Sequence, residues 1–287
     1  MPHLHEKDVK RLELIANKLR QHVITSVAHA KSGHQGGPLG MADIFAVLYF
    51  HELHHDPKNP DWPNRDRLIL SNGHICPIRY AAMAEAGYFP VKELMTLRQL
   101  GSRLQGHPER TKLPGSETTS GPLGAGLAQA VGIAYAARMD KKKWRTYCAT
   151  SDGEHESGLH WEAVLFAGKN RLNNLIAIVD RNYIQIDGNT EDIMPLDPLA
   201  DKYRAFNWHV IECNGNDIAD VGRALEEAKA AFQKPICIIA HTIPGRGVSY
   251  MENNYLWHSQ PFKPGEAEQA LAELQAIEKK LKKEHKV

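Results

Sequence analysis

The residues best suited to chemistry follow two short apolar segments, each predicted to be a buried strand. Ser151-Asp152-Gly153-Glu154 follows the first, and Asp180-Arg181-Asn182-Tyr183-Ile184 closes the next. Neighbouring parallel strands place such turns side by side, so the Asp152 carboxylate, the Asn182 amide oxygen and a backbone carbonyl are expected to converge. Oxygen ligands of this kind suit Mg²⁺ or Ca²⁺, and Mg²⁺ usually completes its shell with phosphate and water. The pattern predicts a cation site with a phosphate-bearing ligand, although both residue types are also common in ordinary turns.

The elements that must position these residues alternate along the chain. Apolar periodicity predicts helices over residues 6–30, about 41–53, 128–137, 159–170, 198–205 and 217–233. Short apolar runs predict strands over residues 67–70, 147–150, 175–179, 209–213 and 236–240. This alternation predicts an α/β fold with a parallel sheet flanked by helices on both faces. We expect one domain over residues 1–287, ending in a charged surface helix at about 265–285.

Two segments interrupt the alternation and are expected to be loops. Residues 34–38, His-Gln-Gly-Gly-Pro, break regular structure twice. Residues 101–120 show no periodicity, and a loop of that length in a compact domain is usually functional. It leads into Gly121-Pro122-Leu123-Gly124 and a helix of small residues, a pattern that alone is also typical of close helix packing.

The composition argues against nucleic-acid-binding, membrane-spanning and disulfide-bonded secreted proteins. The 287 residues include 35 Lys and Arg against 34 Asp and Glu, a net charge of +1 that gives no long-range field for nucleic acid or an anionic membrane. No apolar run resembles a signal peptide or a membrane span. The 4 cysteines are widely separated and form no C-x-x-C motif, which favours reduced packing residues and a cytoplasmic location. The count of 16 histidines is high for a neutral chain.

Taken together, the motifs resemble those of the transketolases, in the family's order along most of the chain. The matching segments are Lys31-Ser32-Gly33-His34-x-Gly36-x-Pro38-x-Gly40, Ser71-Asn72-Gly73-His74, Gly106-His107-Pro108-Glu109, Thr118-Thr119-Ser120-Gly121-Pro122-Leu123-Gly124, Asp152-Gly153 with Asn182, Trp161-Glu162-Ala163, and Ile186-Asp187-Gly188. The resemblance implies the thiamine diphosphate-binding fold. It also implies transfer of a two-carbon ketol unit from a ketose phosphate to an aldose phosphate.

The resemblance assigns a cofactor role to particular residues. Asp152, Asn182 and the backbone carbonyl of Ile184 would bind the Mg²⁺ that bridges the diphosphate of thiamine diphosphate. Gly153 would bring its backbone amide to the phosphates, because a bare Cα permits close approach. The remaining cofactor contacts that the resemblance implies are His74, Gly121, Pro122, Leu123 and His258. Of these, Gly121 and Leu123 would contact the aminopyrimidine ring of the cofactor through their backbones.

Three imidazoles form the implied catalytic set. His34 and His107 would hydrogen-bond the sugar oxygens near the reacting carbon, and His258 would face both cofactor and substrate. Imidazole exchanges a proton near neutral pH, which suits reactions that make and collapse alkoxides. The histidine excess would then divide into a functional group and a structural remainder.

The chain also departs from the family pattern. Ser151 replaces the usual glycine before the aspartate. Ser157 stands where the family carries an acid of the subunit interface, with Glu156 one position earlier. Also missing are the family's second-domain features: a pyrimidine-site glutamate, an aromatic pocket and phosphate-binding arginines. The resemblance therefore predicts the N-terminal subunit of a split transketolase, with sugar phosphate substrates and a partner subunit carrying the pyrimidine-binding domain, assembled as two plus two chains.

Three alternatives stay open at this point. The chain could serve another thiamine diphosphate transferase or a deoxyxylulose-phosphate-synthase-like enzyme, or it could be a non-catalytic cofactor-binding module. A zinc hydrolase built on the histidines lacks ligand spacing, and we interpret His51, His54 and His55 as a helix end. The histidines without a motif are interpreted as surface or packing residues; they are His3, His5, His22, His29, His209, His241 and His285.

Overall fold

The computed structural model describes residues 4–285, so His3 lies outside the described part of the chain. Its central sheet contains five parallel strands, which are β1 (Arg67–Leu70), β2 (Thr146–Ser151), β3 (Leu175–Arg181), β6 (His209–Asn214) and β7 (Ile236–His241). Their order across the sheet is β1-β2-β3-β7-β6. A separate antiparallel hairpin pairs β4 (Ile184–Gln185) with β5 (Gly188–Asn189).

Helices connect the strands. The α-helices are α1 (Glu6–Ala30), α2 (Gly36–Gly40), α3 (Ala42–Val47), α4 (Cys76–Ala86), α5 (Ala125–Met139), α6 (Gly158–Asn170), α7 (Thr190–Ile193), α8 (Leu199–Ala205), α9 (Ile218–Ala230) and α10 (Glu266–His285). A π-helical turn, Leu48–Glu52, extends α3. Short 3₁₀ turns cover Gly73–Ile75, Val91–Thr96, Asp152–Glu156 and Tyr255–His258.

Alternate residues of each strand enter two different cores. In β3, Ile176 and Ile178 pack with α1, α3, α4 and α9, whereas Ala177 and Val179 pack with α5, α6 and α8. Because the side chains of a strand point alternately to its two faces, a strand buried on both faces has a continuous run of apolar residues in its sequence. The predicted parallel sheet with helices on both faces is therefore confirmed.

Most predicted elements are confirmed, but the start of the chain needs one correction. The segment 34–38 was expected to break regular structure, yet α2 begins at Gly36, and Met41 separates it from α3. The helix predicted over 41–53 is present as α3 and the π-helical turn that extends it. A Cβ on Gly36 would lie 2.9 Å from the Trp257 carbonyl oxygen, and one on Gly40 would lie 2.9 Å from that of Ile243. Close backbone packing thus holds a glycine-rich helical turn that local propensity disfavours.

The structure also describes the long loop, the charged C-terminal helix and the cysteines. Residues 101–120 contain no helix or strand, as predicted. The charged helix α10 packs Ala270 and Leu274 against α1 and leaves most of its other side chains exposed or half-buried. All four cysteines are free and buried. Within residues 4–285, no helix has the length and hydrophobicity needed to cross a bilayer.

Candidate active site

Four histidines from four separate segments form an imidazole cluster: His34, His74, His107 and His258. The ring of His34 lies 5.0 Å from that of His74, 5.3 Å from that of His258 and 6.4 Å from that of His107, measured between centroids. The rings of His74 and His258 are 5.1 Å apart. The histidines singled out in the sequence thus converge, although they are distant along the chain.

Loops at the carboxyl side of the sheet bring these rings together. His34 follows α1, and His74 lies in the 3₁₀ turn after β1. Gly73 permits the close approach of residues 107–121, because a Cβ there would lie 2.6 Å from Cβ of Ser120 and 3.2 Å from Cδ2 of His107. The absence of a side chain at this glycine is therefore what admits the long loop to the site.

Burial and neighbouring cationic groups favour the neutral form of the imidazoles in this cluster. Burial, reinforced by His258, Arg98 and His107, lowers the pKa of His34 to about 3. Burial also lowers the pKa of His74 well below its usual value, and burial and Arg98 lower that of His107. Nδ1 of His34 is buried and has no hydrogen-bond partner among the described residues. Neutral rings with unused nitrogen atoms are suited to hydrogen-bonding the oxygens of a sugar.

On the neighbouring strands, Asp152 is completely buried. Its Oδ2 accepts hydrogen bonds from Arg181 Nη1 (3.0 Å), the Tyr183 backbone N–H (2.7 Å) and the Thr190 hydroxyl (3.2 Å). Burial raises the pKa of Asp152 to about 6, against the opposing effect of Arg181 and the other donors. The register of β2 on β3 pairs Ser151 with Asp180, which explains why the two turns meet.

The residues at this turn fit a divalent cation. Oδ1 of Asp152 is buried and has no hydrogen-bond partner among the described residues, so it is a spare carboxylate oxygen. Asn182 donates Nδ2–H to Asp180 (2.9 Å), and its Oδ1 accepts the Ile184 N–H (3.0 Å), which leaves that oxygen a second lone pair. Across residues 4–285, no group of three or more His, Cys, Asp or Glu is placed to hold a metal ion.

The sequence did not predict a role for two further polar residues at the site, Arg181 and Glu154. Arg181 is buried and also contacts Glu191 and Asp197, at 2.5 and 3.0 Å. Glu154 is buried and accepts hydrogen bonds from Ser71, Gly124 and Ser151. Both lie inside recognised motifs, but their partners come from segments that no local spacing connects.

A buried histidine pair beneath the Asp152 turn also went unnoticed. His155 Nδ1 lies 2.9 Å from the Ser151 carbonyl oxygen, and Nε2 of both His155 and His160 lies within 2.9 Å of the Tyr203 hydroxyl. Burial lowers the pKa of both imidazoles. A neutral His155 that donates to Ser151 must accept from Tyr203, so His160 must donate to that hydroxyl. The two imidazoles thus stabilise the turn by packing and hydrogen bonding beneath it.

Comparison with known proteins agrees with the geometry. The sequence model of the family described as "Transketolase, thiamine diphosphate binding domain" matches residues 12–280. The chain belongs to this transketolase family. It is 42% identical over 260 residues to the 6-deoxy-6-sulfo-D-fructose transketolase subunit SqwG of Clostridium sp. (strain MSTE9), covering 91% of this chain and 94% of the relative. It is 38% identical over 277 residues to an apulose-4-phosphate transketolase subunit of Phocaeicola vulgatus, covering 96% and 98%.

Longer transketolases share only part of their length with this chain. The solved transketolase from Leishmania mexicana superimposes with a TM-score of 0.84 at 36% identity, covering 96% of this chain but 45% of that one. Transketolase 1 of Escherichia coli is 40% identical over 269 residues, which cover 90% of this chain and 40% of the relative. The transketolase fold is thus confirmed, and the chain spans less than half of these longer relatives.

Proposed function

We propose that this chain is the cofactor-binding subunit of a two-chain transketolase. The assembled enzyme transfers a two-carbon ketol unit from a ketose phosphate to an aldose phosphate, using thiamine diphosphate and Mg²⁺, or Ca²⁺ in its place. The observation that carries the proposal is the imidazole cluster, which lies at the same end of the sheet as Oδ1 of Asp152, an oxygen with no hydrogen-bond partner among the described residues. Asn72 joins these two parts, because its Nδ2 donates to the Thr150 carbonyl oxygen (3.2 Å).

In this proposal, one end of the site holds the diphosphate. Asp152, Asn182 and the carbonyl of Ile184 would ligate the cation, and Gly153 would turn its backbone toward the phosphates. The other proposed cofactor contacts are His74, His258, Gly121, Pro122 and Leu123. Pro122 and Leu123 are exposed, as a segment that contacts a ligand or a partner chain would be before assembly.

The proposed catalytic set is His34, His107 and His258. Thiamine diphosphate, when bound, supplies the carbon nucleophile and electron sink that the reaction requires. The neutral rings of His34 and His107 would hydrogen-bond the substrate carbonyl and hydroxyl oxygens, and they would move protons as those oxygens change charge. His258, whose ring lies 5.3 Å from that of His34 and 5.1 Å from that of His74, would orient the substrate toward the cofactor.

A partner subunit would complete this site. Its support is the naming of the relatives above as subunits, together with an apolar rim beside the turn at Asp152. The rim consists of exposed side chains on the β4–β5 hairpin, at the end of α7 and on the 3₁₀ turn Tyr255–His258, namely Ile186, Ile193, Met194 and Leu256. We propose that the partner's pyrimidine-binding domain covers this rim.

A second apolar surface supports assembly as two plus two chains. The outer face of α6 exposes Leu159, Leu165 and Phe166, and the ring of Phe166 lies 5.6 Å from that of Tyr135 on α5. Large apolar side chains grouped on one surface are typical of an interaction site. We propose that this face contacts a second copy of the chain, in a cytoplasmic enzyme whose buried cysteines stay reduced.

The test is two-carbon transfer by the purified chain alone and after co-expression with its partner. Transfer is expected only with both chains, thiamine diphosphate and Mg²⁺ present. Robust activity of the chain alone would contradict the split site, and cofactor binding without any transfer would favour the non-catalytic module. A panel of ketose donors, with pyruvate and glyceraldehyde phosphate included, separates transketolase from a deoxyxylulose-phosphate-synthase-like enzyme. The transketolase names of the relatives favour the first.

A further inference from the structure

The carboxylate of Glu154 joins three separate segments of the chain. Its Oε1 accepts hydrogen bonds from the Ser71 hydroxyl and from the Gly124 backbone N–H, the latter at 2.9 Å. Its Oε2 accepts the Ser151 N–H at 2.9 Å. The Ser71 hydroxyl oxygen in turn accepts the N–H of Gly126 at 3.1 Å. One buried side chain therefore connects the end of β1, the start of α5 and the end of β2.

Each of these segments leads into a proposed cofactor contact. Ser71 belongs to the turn that carries His74, Gly124 directly follows Leu123, and Ser151 directly precedes Asp152. We propose that Glu154 is a positioning residue that fixes the distance between the segment contacting the aminopyrimidine ring and the turn binding the diphosphate. This inference rests on the proposed function and adds a residue that touches neither cofactor nor substrate.

The chemistry of the contacts requires a carboxylate. Among the described residues, the three groups that hydrogen-bond its two oxygens all act as donors, and an ionised carboxylate is an acceptor only. An amide at this position would turn its NH₂ group toward at least one of those donors. A buried donor left without a partner is costly, so the segments are expected to separate when the charge is removed.

Two glycines make this connection short. Gly124 has a φ of +82°, and a Cβ on it would lie 2.6 Å from Cβ of Ser157. A Cβ on Gly126 would lie 2.4 Å from that of Ser71. The start of α5 thus packs directly on the turns after β1 and β2. Backbone contact of this kind transmits a small displacement at Glu154 to the segment 121–123.

A purely local role would involve Ser151 alone. The bond from the Ser151 N–H to Glu154 is part of a capping box within the 3₁₀ turn, and a residue needed only there would serve the turn itself. Ser71 and Gly124, in contrast, are distant in sequence, and their bonds to Glu154 connect the turn to the aminopyrimidine side. Variants that affect the two kinds of contact separately distinguish these roles.

The experiment compares three variants. Glu154→Gln keeps the shape and removes the charge, whereas Ser71→Ala removes one long-range donor and leaves the capping box intact. Glu156→Gln is the matched control, because Glu156 lies in the same 3₁₀ turn with an exposed side chain. Hydrogen–deuterium exchange of peptides covering residues 121–127 and 149–153 is measured on each chain without cofactor. The Kd for thiamine diphosphate with Mg²⁺ is then measured on each complex with the partner subunit.

In Glu154→Gln, exchange over both segments is expected to accelerate about 10-fold, and the Kd is expected to rise by about 10-fold or more. Ser71→Ala should accelerate exchange over 121–127 and raise the Kd by about 3-fold, with 149–153 unaffected. The control should match the wild type in both measurements.

Wild-type exchange and affinity in Glu154→Gln would overturn the inference. If that variant fails to fold, a wild-type Kd in Ser71→Ala would overturn it instead. Failure of the proposed function is a separate outcome: the wild-type complex would then not bind thiamine diphosphate at all, whatever the exchange data show.

Discussion

The turn at Asp152 and the imidazole cluster lie at the same edge of the sheet, but their surroundings differ. Oδ2 of Asp152 is held by three donors, and Arg181 compensates its charge inside the protein. No carboxylate pairs with His34, and its Nδ1 has no partner among the described residues. We call the turn at Asp152 the cation end of the site and the imidazole cluster its imidazole end. The comparison indicates that the cation end is organised within this chain, whereas the imidazole end obtains its partners from substrate, cofactor and the second chain.

The largest expected effect follows from breaking the cation end. Asp152→Asn keeps the shape of the side chain but removes the charged oxygen, and it should lower both thiamine diphosphate affinity and activity of the complex by more than about 100-fold. Isothermal titration and a two-carbon transfer assay measure the two losses. Asp201→Asn is the control, because Asp201 is an exposed carboxylate that pairs with the exposed Arg204. An unchanged affinity for the cofactor at saturating Mg²⁺ would remove Asp152 from the metal site.

Breaking the imidazole end should separate turnover from cofactor binding. His34→Ala is expected to lower kcat of the complex by about 100-fold, the scale of proton-transfer catalysis, with little change in the Kd for thiamine diphosphate. The control His209→Ala removes an exposed imidazole that lies at the opposite, amino-terminal end of the sheet strands. A parallel loss of cofactor affinity in His34→Ala would show that His34 serves binding and not the reaction.

The pH dependence of stability tests whether the imidazole cluster is neutral in the fold. Because the pKa of His34 falls to about 3 on folding, the unfolded chain binds more protons below its ordinary pKa, and stability is lost as pH falls from about 6.5 toward 3. His34→Gln removes this contribution. Its loss of unfolding free energy between pH 7.5 and 5 should therefore be smaller than that of the wild type by up to about 2 kcal/mol.

Urea unfolding of the isolated chain at the two pH values measures this difference. The burial-raised pKa values of Asp152, Glu154 and Asp180 act in the opposite direction, since those groups take up protons in the folded state as pH falls. They are present in both proteins and cancel in the comparison. Equal pH dependence of variant and wild type would contradict a neutral, buried His34.

The smallest effect concerns the rim that we propose for the partner subunit. Ile186→Ser exposes a hydroxyl where an apolar side chain would be covered, and it should weaken association of the two chains by about 10-fold. Analytical ultracentrifugation or light scattering over a concentration series measures the change. Leu100→Ser, which alters a fully exposed leucine directly before the loop 101–120, serves as the control. Equal effects of the two substitutions would argue against this rim as the interface.

The sequence predicted the five strands of the central sheet within one or two residues, because both faces of that sheet are buried and each strand is a continuous apolar run. It did not predict the short β4–β5 hairpin. It also predicted which histidines would meet, through the family motifs that carry them. It did not predict α2, because backbone contacts with Trp257 and Ile243 hold that helical turn. Glu154 and Arg181 escaped notice for the same reason: their importance depends on partners from other segments.

The glycine contacts of α2 have one further consequence. His34 lies just before this helical turn and His258 directly follows Trp257, while the Gly245 N–H also donates to the Gly36 carbonyl oxygen (2.9 Å). The backbone segments that carry the two imidazoles are therefore packed directly against each other. In a directed-evolution library, the segments 34–40 and 243–258 would have to be randomised together, because a side chain added to one displaces the backbone of the other.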